Sequence, residues 1–212
     1  MAARYLSARE VCGDLYEFLR YGPQQLGIAL GDVSGKGTAA ALYGAVAIGI
    51  MRSLAPQKLQ PAEMLKQMNQ LVGERRIEGR FMTACFATWQ KGRQKLRVAN
   101  AGQSQPLLYK DGRCGKIELT GFPLGIFEEV TYDEWSVTLE TGNILMFHSD
   151  GIVESMNSEG QFFGTTRLMK LIEQHHEASA TEIADAILRE VDWFTQSAAL
   201  ADDRTLVVAK VR

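Results

Sequence analysis

Acidic residues recur in this 212-residue chain where apolar segments end in turns. Asp14 follows Val-Cys-Gly, Asp32 lies in Gly-Asp-Val-Ser-Gly-Lys-Gly, and Asp150 lies in His-Ser-Asp-Gly. Asp202 and Asp203 come directly before the last apolar segment. Glycines beside several of these aspartates would let the backbone approach an ion closely. A ligand set made only of oxygen suits Mg²⁺ or Mn²⁺ rather than zinc or copper.

Each of these aspartates also has an ordinary structural explanation. An Asp-Gly pair is typical of a turn, and an Asp at the end of a strand often caps a helix or a bend. The pair Asp111-Gly112, between two predicted strands, indicates a hairpin turn and nothing more. Taken without further knowledge, the residues leave a metal centre and a set of structural turns both open.

Three other kinds of catalytic motif are excluded by spacing. A Walker A loop requires four residues between its glycines, whereas three separate Gly31 from Gly35. A nucleophile elbow requires Gly-x-Ser-x-Gly, but Gln and Pro follow Ser104. Adjacent His148 and Ser149 on a strand would point to opposite faces and could not form a dyad there. We therefore expect His148 to be a core or surface residue.

The composition is that of an ordinary globular protein, with 46% hydrophobic and 23% charged residues. A formal net charge of −2 gives little long-range attraction to nucleic acid or to an anionic membrane. We therefore expect no nucleic-acid partner.

The cysteines and the N-terminus predict a cytoplasmic protein. Cys12, Cys85 and Cys114 are odd in number and far apart, which favours free thiols in a reducing compartment over disulfides. No signal peptide is recognisable. The apolar stretch Ala39–Met51 is too short to span a bilayer and predicts a buried helix, so we expect no membrane insertion.

The apolar pattern predicts an α+β fold in one domain spanning residues 1–212. Strands are predicted at Leu26–Val33, Phe81–Trp89, Lys95–Asn100, Pro106–Tyr109, Cys114–Leu119, Trp135–Leu139, Asn143–Ser149 and Thr205–Val211. Helices are predicted at Gly37–Leu54, from Pro61 with an apolar stripe of Met64, Leu65, Met68 and Leu71, at Thr165–His176, and at Thr181–Thr195 with a stripe of Ile183, Ile187, Val191 and Phe194. The close spacing of the strands favours antiparallel hairpins over a parallel sheet.

Six short motifs in order resemble those of the type 2C (PPM-type) metal-dependent Ser/Thr protein phosphatases, particularly the bacterial sporulation-protein-E-like (SpoIIE-like) branch. The motifs are Val11–Glu17, Gly31–Gly37, Asn100–Gln103, Pro123–Ile126, Ser149–Glu154 and Asp202–Thr205, and the resemblance extends from about Ala8 to Val208. The chain departs from the usual pattern at Cys12 (for Gly), Glu17 (for Asp), Gln103 (for His) and Ser149 (for Thr). None of these departures removes a principal carboxylate.

The resemblance implies an antiparallel β-sandwich flanked by helices, in α-β-β-α layers, and two bound Mn²⁺ or Mg²⁺ ions. It makes Asp14, Asp32, Asp150 and Asp202 the expected catalytic residues. Asp32 would bridge the metals, the Val33 carbonyl would bind one of them, and Asp14 would help to hold the second. Asp150 and Asp202 would hold the first metal, with Asp203 in place of Asp202 if the motif is shifted by one residue. Glu17 would be a weaker, water-mediated contributor.

The activity that the resemblance implies is hydrolysis of phosphoserine or phosphothreonine on a regulatory protein, with a metal-bridging hydroxide as the nucleophile. In the branch resembled, the usual substrate is an anti-sigma-factor antagonist in a partner-switching pathway. The chain could be a catalytic domain cut from a longer protein with an upstream sensory or receiver domain. Two alternatives stay open: a phosphatase-like signalling module that binds a partner without turnover, and a small-molecule phosphoesterase.

Overall fold

The computed structural model describes residues 1–8, 10–74, 79–196 and 200–212. Within these ranges the strands are β1 (Ala2–Leu6), β2 (Asp14–Gly22), β3 (Gln25–Val33), β4 (Met82–Gln90), β5 (Lys95–Ala101), β6 (Leu107–Lys110), β7 (Arg113–Lys116), β8 (Glu134–Thr138), β9 (Ile144–His148) and β10 (Arg204–Lys210). The α-helices are α1 (Thr38–Leu54), α2 (Pro61–Gly73), α3 (Asp150–Val153), α4 (Thr165–Gln174) and α5 (Ala180–Phe194).

The chain divides into two compact units, and each is discontinuous in sequence. The first unit comprises Met1–Glu10, Ser104–Ile117 and Glu140–Arg212; the second comprises Val11–Gln103 and Glu118–Leu139. Each unit contains one five-stranded antiparallel sheet together with helices. The α+β prediction is therefore confirmed.

In the first unit the strand order is β1-β10-β9-β6-β7, and helices α4 and α5 pack on the sheet. Alternate residues of β9 and β10, such as Met146 and Leu206, join Ile183 and Ile187 of α5 in one buried cluster. The predicted stripe of α5 is confirmed, with Phe194 packing at its partly buried end. The hydrophobic face of α5 therefore packs this helix against β10, the strand that begins directly after Asp203.

In the second unit the strand order is β2-β3-β4-β5-β8, with α1 and α2 packed on the sheet. Met64, Leu65 and Met68 of α2 are fully buried, as predicted, and Leu71 packs partly buried beside them. The buried face of α1 includes Ala47, and α1 follows directly on the Gly31–Gly37 motif. The packing of α1 thus fixes the end of that motif.

One segment, Thr38–Gln57, is long and apolar enough to cross a membrane by length and composition alone. The core helix of a soluble protein passes the same test, so the finding is weak evidence. Ala40, Ala47, Met51 and Leu54 pack into the core of the second unit, and Leu42 and Val46 are exposed. The predicted helix at this position is confirmed, whereas the expectation that it is too short to span a bilayer is wrong, because the helical segment extends beyond Met51.

Most predicted elements are confirmed to within a few residues, but several of the described elements were not predicted, and one predicted strand is too long. Strands β1 and β2 and the one-turn helix α3 were not predicted. The strand predicted at Cys114–Leu119 ends at Lys116. The next pair in register, Pro106 and Ile117, makes only one ladder hydrogen bond: the Ile117 N–H donates to the Pro106 carbonyl, and proline has no N–H to return. The predicted turn at Asp111-Gly112 is confirmed: both residues have positive φ, 53° and 78°, as a tight hairpin requires.

Candidate metal centre

Strands β2 and β3 place two of the predicted ligands directly opposite each other. In the antiparallel register Asp14 pairs with Asp32. Residues in such a pair project from the same face of the sheet, with Cβ atoms about 5 Å apart. Asp14 is buried and Asp32 is half-buried. Like charges at this distance repel, so a bound cation would stabilise the Asp14–Asp32 pair.

Gly13 allows the backbone before β2 to pass very close to Asp32. A Cβ atom at Gly13 would lie 2.8 Å from Asp32 Oδ1 and 2.8 Å from the Val33 carbonyl oxygen, closer than a real Cβ contact. The Val33 N–H donates to the Gly13 carbonyl at 3.2 Å. A glycine is therefore required here, and it brings a backbone turn against both the carboxylate and the carbonyl predicted to bind metal.

Arg80, which the sequence reasoning did not single out, holds the turn that follows Val33. Its Nη1 donates to the carbonyl of Ser34, and a Cβ at Gly35 would collide with its guanidinium. Ser34 Oγ accepts the N–H of Phe81 at 2.9 Å, and the Ser34 N–H donates to the Phe81 carbonyl at 2.9 Å. These bonds tie the Gly31–Gly37 motif to the chain just before β4.

Glu17 does not lie with Asp14. They are three positions apart along β2, an odd number, so their side chains project from opposite faces of the sheet. The Glu17 carboxylate instead accepts Arg52 of α1, with Nε 2.8 Å from Oε2 and Nη2 2.7 Å from the same oxygen. The expectation that Glu17 contributes to the metal centre is therefore not supported by its position in this structure.

In the first unit, Asp150 and Asp202 lie at neighbouring ends of paired strands. Asp150 is the first residue of α3, separated from the end of β9 by Ser149 alone, and Asp202 lies two positions before the start of β10. Both aspartates line a cavity of about 450 Å³. Gly151 has no room for a side chain, because a Cβ would collide with the Asp203 carbonyl oxygen. We call these two carboxylates the Asp150–Asp202 pair.

Asp203 has a different environment from Asp202. Asp203 Oδ1 accepts the backbone N–H of Ala8 at 2.8 Å, and its carbonyl accepts the hydroxyl of Ser149 at 3.1 Å. Asp202 Oδ1 accepts the Asp203 N–H at 3.0 Å, and Asp202 lines the cavity shared with Asp150. One oxygen of Asp203 thus anchors the chain near Ala8, whereas Asp202 is placed beside Asp150.

His148 is a buried core residue, as predicted, and its side chain is neutral near pH 7. Burial lowers its pKa to about 4, because a charged ring would lose its hydration. Its Nδ1 donates to the Ser149 carbonyl at 3.1 Å. Ser149 Oγ accepts the Thr205 N–H at 2.9 Å and donates to Asp203, so this hydroxyl is engaged by the backbone of the β10 segment.

Two further motifs of the resemblance build supporting turns in the second unit. Asn100 Oδ1 accepts the Gln103 N–H at 2.8 Å, and Asn100 Nδ2 donates to the Gln103 carbonyl at 2.9 Å, which closes the turn after β5. Leu124 exchanges two backbone hydrogen bonds with Met82, of 3.1 and 2.8 Å. The Gly125 N–H donates to Asn69 of α2 at 2.9 Å. These residues therefore fix the start of β4 rather than supply metal ligands.

The donors in each unit fit a hard divalent cation. Within the described ranges, no three His, Cys, Asp or Glu side chains form a group ready to hold a metal. Each unit instead offers a pair of carboxylates beside glycine-lined backbone. Mg²⁺ usually binds through one or two carboxylates and keeps several waters, so such a pair suits it, whereas zinc sites are built from Cys and His.

The fold is that of PP2C-type phosphatase domains. The SiaA-PP2C domain of Pseudomonas aeruginosa matches all of this chain and 85% of its own, with a TM-score of 0.89 at 20% identity. The structure of RsbX in complex with magnesium matches 99% of this chain and 94% of its own, with a TM-score of 0.72 at 17% identity. The prediction of a type 2C phosphatase-like fold is therefore confirmed.

The family model of stage II sporulation protein E (SpoIIE) matches residues 22–212, and the chain belongs to this family. A curated relative, the phosphoserine phosphatase RsbU of Bacillus subtilis (strain 168), is 32% identical over 209 residues. That match covers 96% of this chain and 60% of RsbU, so the chain spans little more than half the length of this relative. The resemblance drawn from the six motifs is confirmed.

Proposed function

We propose that the chain is a metal-dependent protein phosphatase that removes phosphate from serine or threonine of a regulatory protein. The observation that carries this proposal is the direct pairing of Asp14 with Asp32 on adjacent strands, in a chain of the SpoIIE family. Two facing carboxylates repel each other, and a cation bound between them would remove this repulsion. The name of RsbU, a phosphoserine phosphatase, supports the same activity for this chain.

The proposed metal ligands are the carboxylates of Asp14, Asp32, Asp150 and Asp202, together with the carbonyl of Val33. Asp32 would bridge two ions, Mn²⁺ or Mg²⁺. We prefer Asp202 to Asp203, because Asp202 lines the cavity with Asp150 and Asp203 Oδ1 accepts the Ala8 N–H. The magnesium in the RsbX structure, which has the same fold, supports metal dependence.

Bound divalent cations would lower the pKa of water and offset charge on the phosphoryl oxygens. The protein's part is to hold the acidic side chains in place for binding. A cysteine nucleophile is disfavoured because burial raises the pKa of Cys85, and burial together with the charge of Glu173 raises that of Cys114 to about 12. Water is therefore the proposed attacking group.

The proposed substrate is a phosphoserine-bearing regulatory protein of the anti-sigma-factor-antagonist type, acting in partner switching in the cytoplasm. The role of RsbU as a phosphoserine phosphatase supports this class of substrate. We further propose that this chain is one catalytic domain, controlled by an upstream sensory or receiver domain. A partner-binding module without turnover is the alternative, since Cys12 and Glu17 depart from the usual first motif and Glu17 is paired with Arg52.

A phosphate-release assay separates these two functions. The purified protein should hydrolyse p-nitrophenyl phosphate with Mn²⁺ and lose this activity in excess EDTA, whereas a partner-binding module should show no metal-dependent release. Candidate phosphoproteins and a panel of phosphorylated metabolites should then be compared by mass spectrometry before and after incubation. Faster turnover of a metabolite than of every phosphoprotein would replace our proposal with a small-molecule phosphoesterase.

A further inference from the structure

Arg204 is a buried arginine that directly follows the Asp202-Asp203 motif. It is the first residue of β10 and only 3% exposed. A buried guanidinium is costly unless its charge and its N–H groups are satisfied, so its partners show what it does.

Arg204 lies in a chain of hydrogen bonds that runs from α5 to the turn of α3. Its Nη1 donates to Asp192 Oδ1 at 2.7 Å, and its Nε donates to Ser155 Oγ at 3.1 Å. The Ser155 hydroxyl in turn donates to the Gly151 carbonyl at 2.7 Å. From Arg204 towards α3 the donors follow head to tail, since the Ser155 hydroxyl accepts from Arg204 and donates to Gly151, and bonds arranged in this way strengthen each other.

Gly151 is the residue after Asp150, and its backbone packs against Asp203. The hydrogen-bonded chain therefore ends at the first turn of α3, at the residue that packs against the segment carrying Asp202. On the other side of Asp150, the hydroxyl of Ser149 is hydrogen-bonded to the backbone of Asp203 and Thr205. These contacts connect Arg204 to the turn that carries Asp150 and to the segment that carries Asp202.

We propose that Arg204 is a positioning residue, which sets the metal affinity of the Asp150–Asp202 pair through Ser155 and Gly151. The inference rests on the proposed function, because it needs a metal at this pair. Asp192 of α5 neutralises the buried guanidinium and orients it, so α5 also helps to position Arg204. Residues that orient metal ligands in this way typically change metal affinity or activity by about 10- to 100-fold when they are replaced.

A second arginine–aspartate pair supplies the matched control. Arg4 Nε donates to Asp185 Oδ1 at 2.7 Å and ties β1 to the same helix α5 in the same unit. The only other hydrogen bond that its side chain makes among the described residues is to its neighbour Ala3, so this side chain does not bond to the acidic motifs. A general effect of removing an arginine that is paired with an aspartate of α5 should therefore appear in Arg4→Met as well as in Arg204→Met.

The test is calorimetric titration of Mn²⁺ into the purified wild-type protein, Arg204→Met, Arg204→Lys and Arg4→Met. We expect Arg204→Met to bind Mn²⁺ about 10- to 100-fold more weakly, with Arg204→Lys in between and Arg4→Met unchanged. The Mn²⁺ concentration for half-maximal phosphate release should rise by the same factor in Arg204→Met. The KM for the phosphoserine substrate at saturating Mn²⁺ should stay the same.

The outcomes separate this inference from the proposed function. If the wild type binds no Mn²⁺, the proposed function fails and the inference fails with it. If the wild type binds Mn²⁺ and a folded Arg204→Met binds it equally well, or if Arg4→Met is weakened as much, the inference alone is overturned. Should Arg204→Met not fold, Ser155→Ala keeps the Arg204–Asp192 pair and must still weaken Mn²⁺ binding several-fold; unchanged binding overturns the inference.

Discussion

At the scale of single residues, the proposed metal centre depends on glycines as much as on aspartates. Gly13 and Gly151 each lie where a Cβ would collide with the backbone or side chain of an acidic motif. A carboxylate can bind a metal only if the surrounding backbone leaves space and holds it in place. The sequence showed glycines near the aspartates but not which of them are tightly packed.

We predict that Gly13→Ala strongly lowers Mn²⁺-dependent phosphate release and leaves a folded protein. The added methyl group would lie 2.8 Å from both Asp32 Oδ1 and the Val33 carbonyl, so both groups must move. A displacement of about 1 Å in a catalytic site can cost about 100-fold in rate. The matched control is Gly115→Ala in β7, where a Cβ meets nothing within 4 Å. Equal activity of the two variants, with unchanged circular dichroism, would contradict the assigned role of Gly13.

At the scale of helices and strands, segments with a regular apolar period were predictable. Segments in which a charged residue interrupts that period were not. Helix α5 was found because its apolar stripe repeats at helical spacing. Strand β2 was missed because Glu17, paired with Arg52, lies on the same face as the core residues Leu15 and Leu19 and so breaks the apolar alternation. An ion pair formed with a distant helix leaves no local signal in the sequence.

Helix α5 begins with a capping box, which gives a prediction about stability. Ser179 Oγ accepts the Glu182 N–H at 3.3 Å, and Glu182 Oε2 accepts the Ser179 N–H at 2.8 Å. Ser179→Ala should lower the free energy of unfolding by about 1 kcal/mol, measured by urea denaturation at pH 7. Ser158→Ala, in an exposed turn, is the control and should change it little.

The same cap predicts how this difference depends on pH. The backbone N–H of Ser179, and then its hydroxyl, lower the pKa of Glu182 below the ordinary 4.5. A carboxyl whose pKa is lowered by folding stabilises the protein above its unfolded pKa and loses this effect as the pH falls through the folded value. Ser179→Ala keeps the backbone N–H and removes only the hydroxyl. The stability difference between the wild type and Ser179→Ala should therefore shrink below about pH 4.5 by the part that the hydroxyl contributes. A difference that grows on acidification would contradict this account.

At the scale of the whole molecule, local patterns predicted the antiparallel class of the fold but not the order of its strands. Hairpins such as β6–β7 follow from a turn pair like Asp111-Gly112. The pairing of β1 with β10 joins residues about 200 positions apart, and no turn signal specifies it. The Arg204 chain depends on the same long-range assembly, since it joins α5, β10 and the turn after β9. The aspartates could be found from motifs, whereas Ser155 and Asp192, the partners of Arg204, lie outside every motif.

The most direct test of the account compares three aspartate-to-asparagine variants in Mn²⁺-dependent release of phosphate from a phosphoserine protein. Asp32→Asn and Asp150→Asn remove a proposed ligand from the second and first units, while Asp111→Asn changes an Asp-Gly pair that forms only a hairpin turn. We predict that the first two lose more than about 100-fold in rate, beyond the range typical of residues that only orient a ligand. Asp111→Asn should keep wild-type activity. Substantial activity in folded Asp32→Asn or Asp150→Asn, or equal release without a divalent metal, would contradict the account.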